Sequence, residues 1–586
     1  LVTRLKFSLI GYRMRLLIAV AMFVVSASLV LLGFGQRTIW APPKSVSMSV
    51  EVKTSSPFAV IPHSTLALYP GTPTVTVSGS NAGVFVSSGR EADVQAFVGK
   101  SPSMLLGLSK KKTSIEASQS FGVAPGFSPV GSDLWREQST GTGSASLTAS
   151  ASDEAAVLIA SNGLKPAPSQ VEIIWPILHD LTWSNVLIVS GLSLFLAALI
   201  LGIWHFGERR RKRGPRRRIP KAPSGPKYKE RRKVRFAPAR GRRAAGRRGL
   251  SRGSLMVPST LLSVSLLSGC ALGDSQATAT PTPTASAEQV APPVVTAVQL
   301  NRILSEVAEA AKQGDDGNNK KALAPRFTGP ALNLRTVHYF LRSKNDKIAA
   351  LPAIVAKPLS FSLPAASTTW PRNVMAVTDE PGDSALPQLI VLQQKSPREN
   401  YQVWYTVRLM PGAKIPAVPS AKTGAIPVDA KSLFLKVPPL SLPATYGDLI
   451  NKGESSLSAQ LFETENDEFY KQVSNSQVEQ VKNLKNGKIS FTHKLGDANV
   501  IGLSTSQAGA LVAVYMTDTY LIRPTKVGTA VGVSGQEALI LGANGSTKGV
   551  RSIYGNMLLF FVPALSETAK IRLIGVTQGL VSVRGL

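Results

Sequence analysis

The sequence predicts a multidomain membrane protein: transmembrane helices, an extracytoplasmic β-sandwich-like domain, and C-terminal tandem α+β domains. Three observations carry that expectation. Two long apolar stretches have Arg and Lys at their flanks, and the residues between them alternate apolar and polar with period two. After a Thr- and Pro-rich run, the pattern then turns twice from helical to strand periodicity.

A chain of 586 residues is too long for one ordinary domain. Its net charge of +31 suggests a nucleic-acid binder until the charge is located. Roughly twenty Lys and Arg against two Glu lie between Glu208 and Arg252, more than half of the excess, which leaves the folded parts near neutral. The single cysteine, Cys270, excludes disulfide staples and Cys-based metal sites, so each folded domain is held by an apolar core. The chain opens on Leu1, which fits a non-standard start codon or a trimmed terminus.

Residues 16–35 (LLIAVAMFVVSASLVLLGFG) carry no charge and are long enough to cross a hydrocarbon core. Arg4, Lys6, Arg13 and Arg15 precede them, which places residues 1–15 in the cytoplasm. The small residues at 26–28 offer a signal-peptide reading, but the apolar run continues past them, so an uncleaved anchor is expected. Residues 185–206 form the second span, with Trp183 and Trp204 near its ends and RRRKR behind it, so its exit is cytoplasmic. His205 sits at that boundary as an interfacial residue, since the span holds no acidic partner.

The segment 208–252 is basic, with Arg209, Arg210, Arg211, Lys212, Arg213, Arg216, Arg217 and Arg218 at its head, and too poor in apolar residues to form a core. Facing the cytoplasm it would lie against anionic lipid headgroups, each basic residue contributing on the order of 1 kcal/mol. Its bland reading is a topology determinant without a partner. Nucleic acid is disfavoured as a partner, because Tyr228 and Phe236 are the only aromatic residues interleaved there.

Between the spans, residues 37–183 show short alternating runs such as Val46, Met48, Val50 and Val52, punctuated by Gly, Pro and Asn, the pattern of a β-sandwich. The Ser-, Gly- and Thr-rich stretch 100–152 reads as loop, with Lys110, Lys111 and Lys112 in a solvated turn. Residues 271–293 read as a tether. A first α+β domain, 294–425, opens with Thr296 as a cap and Leu300, Ile303, Leu304, Val307 and Ala311 at helical spacing. A second helix follows near 330–342, with Pro330 in its first turn, and strands 388–394 and 401–410 flank a turn as a hairpin. The order repeats in 426–586, with helices near 445–451 and 469–484, then strands near 488–493, 511–522, 553–562 and 571–576.

The apolar stretch 255–267, within a signal-like segment 254–270, is short for a spanning helix and ends Leu267-Ser268-Gly269-Cys270. That ending resembles the lipobox of bacterial lipoproteins, which implies Cys270 as a lipidated N-terminus and two separate products. Its internal position departs from that pattern, and without cleavage the segment is a third span; in both cases the C-terminal half emerges outside. The whole layout, with RFTGPALNLRTVHYFLRSK at 326–344, resembles an uncharacterised family of actinobacterial envelope proteins. The paired α+β units are similar to nuclear-transport-factor-2-like (NTF2-like) cone folds. These resemblances imply a non-enzymatic role outside the cytoplasmic membrane and supply no catalytic residues.

Chemistry-bearing motifs are sparse. His63, His179, His205, His338 and His493 are scattered, none forms an HExxH pattern, and His338 reads as an ordinary helix residue beside Tyr339. Residues 532–535 have the wrong spacing for a nucleophile elbow, and the glycine-rich 542–549 places its Lys after Ser-Thr, so it reads as a hairpin loop. Glu463, Glu465, Asp467 and Glu468 cluster at a helix start, where the dipole accounts for them better than a cation site. No catalytic residue, metal or cofactor is assigned. The expected function is a non-catalytic cell-envelope protein whose partners are membrane lipids and, for its exported domains, cell-wall polymers or envelope proteins. A small-ligand or peptide-binding module is the alternative, and an enzyme of wall or glycan metabolism the third reading.

Overall fold

The computed structural model describes residues 2–41, 43–150, 154–177, 182–212, 294–362, 367–379, 386–420 and 423–586. Two units are distinguished, one of Leu1–Ala41 and Leu181–Glu288, the other of Pro42–Asp180 and Gln289–Leu586.

In the first unit, helices Val2–Arg37 and Thr182–Lys212 pack antiparallel. Both contain a segment long and apolar enough to cross a membrane, Leu16–Arg37 and Thr182–Gly207. Contact between them is built on small residues in a reciprocal arrangement. Ser26 Oγ donates to the carbonyl of Gly191 at 2.8 Å, and Ser184 Oγ donates to the carbonyl of Gly33 at 2.8 Å. A Cβ on Gly33 would lie 2.6 Å from Ile188, and one on Gly191 would lie 2.7 Å from Val30, so both glycines are needed for the backbones to approach. Leu17, Leu31, Val189 and Ile203 face outward, exposed. The helices run past the apolar stretches, the first taking in residues 2–15 and the second residues 208–212 at the head of the segment expected to lack a core. Helix-favouring Leu, Met, Arg and Lys continue until Gly214-Pro215.

The second unit begins with two stacked sheets. One has the order Ser45–Glu51, Gln170–Pro176, Thr74–Ser78, Ser144–Thr148, all antiparallel. The other runs Ile115–Ser120, Ser103–Leu108, Phe58–Ile61, Ala155–Ala160, Val84–Arg90, Glu137–Gly141, with one parallel pair, Phe58–Ile61 beside Ser103–Leu108. Period-two alternation divides its side chains between two cores. Ala59, Ile61, Val157 and Ile159 face the four-stranded sheet, whereas Phe58, Val60, Leu158 and Ala160 pack with Phe97 of helix Glu91–Val98 and with Trp135. The stretch 100–152, expected as loop, supplies four of these strands. Its strands are edge or half-exposed, as the alternating burial of Ser144–Thr148 shows, so Ser and Thr fill their solvent faces and mask the pattern.

From Thr296 the chain follows the expected order. Thr296 and Gln299 form a reciprocal capping box, and helix Ala297–Gly317 follows. Helix Gly329–Lys344 precedes the antiparallel sheet Pro358–Ser362, Arg372–Thr378, Gln388–Gln394, Gln402–Arg408. Helices Leu442–Lys452 and Glu468–Asn483 then precede all strands but Pro427–Val428 of the larger sheet, ordered Pro427–Val428, Ile501–Ser504, Gly509–Pro524, Val550–Pro563, Arg572–Gly585, with Gly487–Leu495 also on Gly509–Pro524. Strand Gly509–Pro524 sorts its residues by parity: Leu511, Ala513 and Tyr515 join the core of the first sheet, while Ala510, Val512, Val514 and Met516 join that of helices Leu442–Lys452 and Glu468–Asn483. The two helix-then-sheet halves therefore share one apolar core, with sheet against sheet and helices outside.

Candidate functional site

Four arginines of the C-terminal region face the sandwich. Arg326 donates to both carboxylate oxygens of Asp133, at 2.6 and 3.2 Å, and its side chain is 6% exposed against 1% for Asp133. Burial alone would lower the Arg326 pKa, but Asp133 and Glu306 outweigh it and hold the guanidinium above its ordinary value. The backbone N–H of Tyr401 adds a third bond to Asp133, at 2.7 Å, so the carboxylate is satisfied without water. Arg372 donates to Asp93 at 2.6 Å, with both side chains 2% exposed, and its guanidinium stacks on Trp370, which packs against the sandwich core.

The other two arginines bind backbone. Arg398 donates to the carbonyls of Phe97 and Val98, each at 2.9 Å, at the end of helix Glu91–Val98. A cation there satisfies terminal carbonyls and meets the negative end of the helix dipole. Arg302 reaches the carbonyl of Trp135 at 2.8 Å. Gln299, already oriented by its capping box, donates to the carbonyls of Asp133 and Leu134 at 3.2 and 3.1 Å. One cap thus starts a helix and aims a docking side chain.

A cavity of about 200 Å³ lies beneath helix Gly329–Lys344, lined by Leu334, His338, Leu351, Gln388, Arg408 and Gln578 among others. The Nε2 of His338 is buried without a protein hydrogen-bond partner. Burial, followed by the nearby Arg342, lowers the His338 pKa, which favours the neutral imidazole. Arg335, on the same wall, is held by Asp315 at 2.6 and 2.7 Å, and Asp315 also accepts from the Tyr339 hydroxyl at 2.6 Å.

A second polar cluster lies in the core of the larger sheet. His493 Nδ1 pairs with Asp518 at 2.6 Å, and Asn556 donates to the other Asp518 oxygen at 2.8 Å. His493 Nε2 contacts the side-chain amides of Gln477 and Asn451, not a hydroxyl or thiol, so the pair lacks the geometry that activates a nucleophile. It ties strand Gly487–Leu495 to helices Leu442–Lys452 and Glu468–Asn483.

Sequence reasoning did not find the arginine contacts. Asp93 and Asp133 look like ordinary surface acids, since their partners lie 279 and 193 residues away. Asp518 did carry a signal, for it continues the core-facing parity of Val512, Val514 and Met516. Asp467 is the N-cap of helix Glu468–Asn483, accepting from the Tyr470 N–H at 2.9 Å. Of the basic segment, Arg209, Arg210, Arg211 and Lys212 lie in the last helical turns, while Arg213, Arg216, Arg217, Arg218 and the lipobox residues Leu267, Ser268, Gly269 and Cys270 lie outside the described residues. Among the described residues, no group of three or more His, Cys, Asp or Glu is placed to hold a metal ion.

A family profile described as a domain of unknown function, DUF8094, matches residues 291–585. No curated protein and no solved structure matches the chain.

Proposed function

We propose that this chain, which belongs to the DUF8094 family, is a non-catalytic membrane protein of the cell envelope that presents one composite binding or scaffolding body outside the cytoplasmic membrane. The observation that supports it best is the arginine contact. The sandwich is linked at both ends to helices able to cross a membrane, and the family domain packs on it through ion pairs closed to water. A body of that kind holds a fixed surface for a partner at a fixed tether. Arginines before the first apolar segment and after the second support an outward orientation. Lipidation at Cys270, the contact of the basic segment with anionic lipid, and a cone-fold relationship of the two α+β halves belong to the same proposal.

Alkaline carbonate washing of membranes, followed by protease treatment of intact spheroplasts, tests this reading. The chain should stay in the membrane pellet, and residues 43–177 and 294–586 should be digested from outside. Release into the wash, or full protection of both regions, would contradict it. Purified full-length chain should also leave labelled wall precursor unchanged; turnover would favour an enzyme of wall or glycan metabolism.

The cavity beside His338 favours a second reading, a module that binds a small ligand through the unpartnered imidazole nitrogen. Thermal unfolding of the detergent-purified chain with soluble wall fragments or lipids separates the two. A concentration-dependent rise that His338→Leu abolishes supports the ligand site, and no shift across that panel counts against it.

A further inference from the structure

The contact between the sandwich and the family domain also constrains how the chain is threaded. The sandwich hangs between two helices, each long enough to span, so if both span it lies on one side of the membrane and Lys212 lies on the other. Yet residues from Val294 onward pack on the sandwich: Gln299, Arg302, Arg326, Arg372 and Arg398 all bond to it, and two of its carboxylates are sealed from water beneath them. Buried Asp–Arg pairs cannot form across a bilayer. The family domain must therefore return to the side the chain has just left.

We infer that the family domain from Val294 onward lies on the same side of the membrane as the sandwich, opposite Lys212, and that its arginine face captures the sandwich as its partner. This rests on the spanning reading of the two helices given above. The partner chemistry is specific. Two guanidinium groups take carboxylates, and two take backbone carbonyls, one set of them at the end of helix Glu91–Val98. A sandwich without acids at 93 and 133 would leave the buried Arg372 uncompensated and Arg326 with only the partly exposed Glu306. The longest uncharged apolar run in the joining sequence is 255–267. The pair would also outlast a cut in the joining sequence, because none of its contacts depends on chain continuity.

Sidedness of single cysteines in the full-length chain tests this placement. Lys110→Cys reports the sandwich, Leu457→Cys reports the family domain, and Tyr228→Cys reports the basic segment; the first two positions are exposed. The parent chain, with Cys270 alone, is the background control. A membrane-impermeant maleimide applied to spheroplasts should label positions 110 and 457 and reach position 228 only after permeabilisation. Labelling at 110 with protection at 457 would overturn the inference while leaving the two spans intact. Labelling at 228 with protection of 110 and 457 would keep the two domains on one side and reverse the proposed orientation. Equal labelling of all three before permeabilisation would remove the spanning reading itself.

Discussion

Two contacts in this molecule join segments far apart in sequence, and they use opposite chemistry. The helical hairpin brings backbones together through Gly33 and Gly191, with two Ser hydroxyls bonding across, and leaves Leu, Val and Ile on its outside. The sandwich and the family domain instead meet through arginines that neutralise buried carboxylates and close off a helix end. The difference follows from the surroundings proposed for each contact. In hydrocarbon no hydrophobic force pushes helices together, so close packing and a few hydrogen bonds must suffice. In water, charges can be taken into a contact only when every one is matched, and that requirement makes the contact selective.

Removing one partner at a time separates the two kinds of contact. The largest effect is expected for Asp133→Asn, which leaves Arg326 without its buried countercharge and should cost about 3–5 kcal/mol by thermal or denaturant unfolding of the full chain. Replacing Asp93 and Arg372 together with Leu and Met should cost far less than Asp93→Asn alone, because an apolar pair needs no compensation; equal losses would show that the charges are not the organising feature. In the hairpin, Gly191→Leu should weaken helix association by about 1–2 kcal/mol, read as reduced energy transfer between labels on the two helices, and leave the unfolding of the larger unit unchanged. Thr296→Ala should cost about 1 kcal/mol, since it removes a helix cap and releases Gln299 from the orientation in which it docks.

The smallest effect concerns pH. The folded-state pKa of His338 lies below the ordinary value of about 6.5, so folding favours the neutral ring. The stability linked to His338 is complete above that ordinary value and falls as pH drops through the folded-state value. NMR titration should place the His338 pKa below 6.5, and His338→Gln should remove this share of the acid loss.

Local devices in this fold were open to sequence reasoning. The capping box at Thr296, the apolar face from Leu300 to Ala311 and the paired strands Gln388–Gln394 and Gln402–Arg408 each follow from residues close together in the chain. The strands between 103 and 148 were hidden because edge strands with Ser and Thr outward resemble loops. Asp93 and Asp133 were hidden for a deeper reason. Nothing within ten residues of either distinguishes a solvated acid from a buried one; only the long-range arrival of Arg372 and Arg326 makes that difference. The mutual burial of the two sheets from 358 to 585 was likewise visible only in part. The alternation along Gly509–Pro524 shows that both faces of that strand are apolar, but not what covers each.

Whether the sandwich and the family domain are partners held by matched charges can be read by cutting the chain between them. A specific protease site inserted at Gly249 allows the detergent-purified full-length protein to be cleaved into a piece bearing residues 43–177 and a piece bearing residues 294–586. The two pieces should elute together on size exclusion and separate when Asp93→Asn and Asp133→Asn are combined. Separation of the unmutated pieces after cleavage would contradict it.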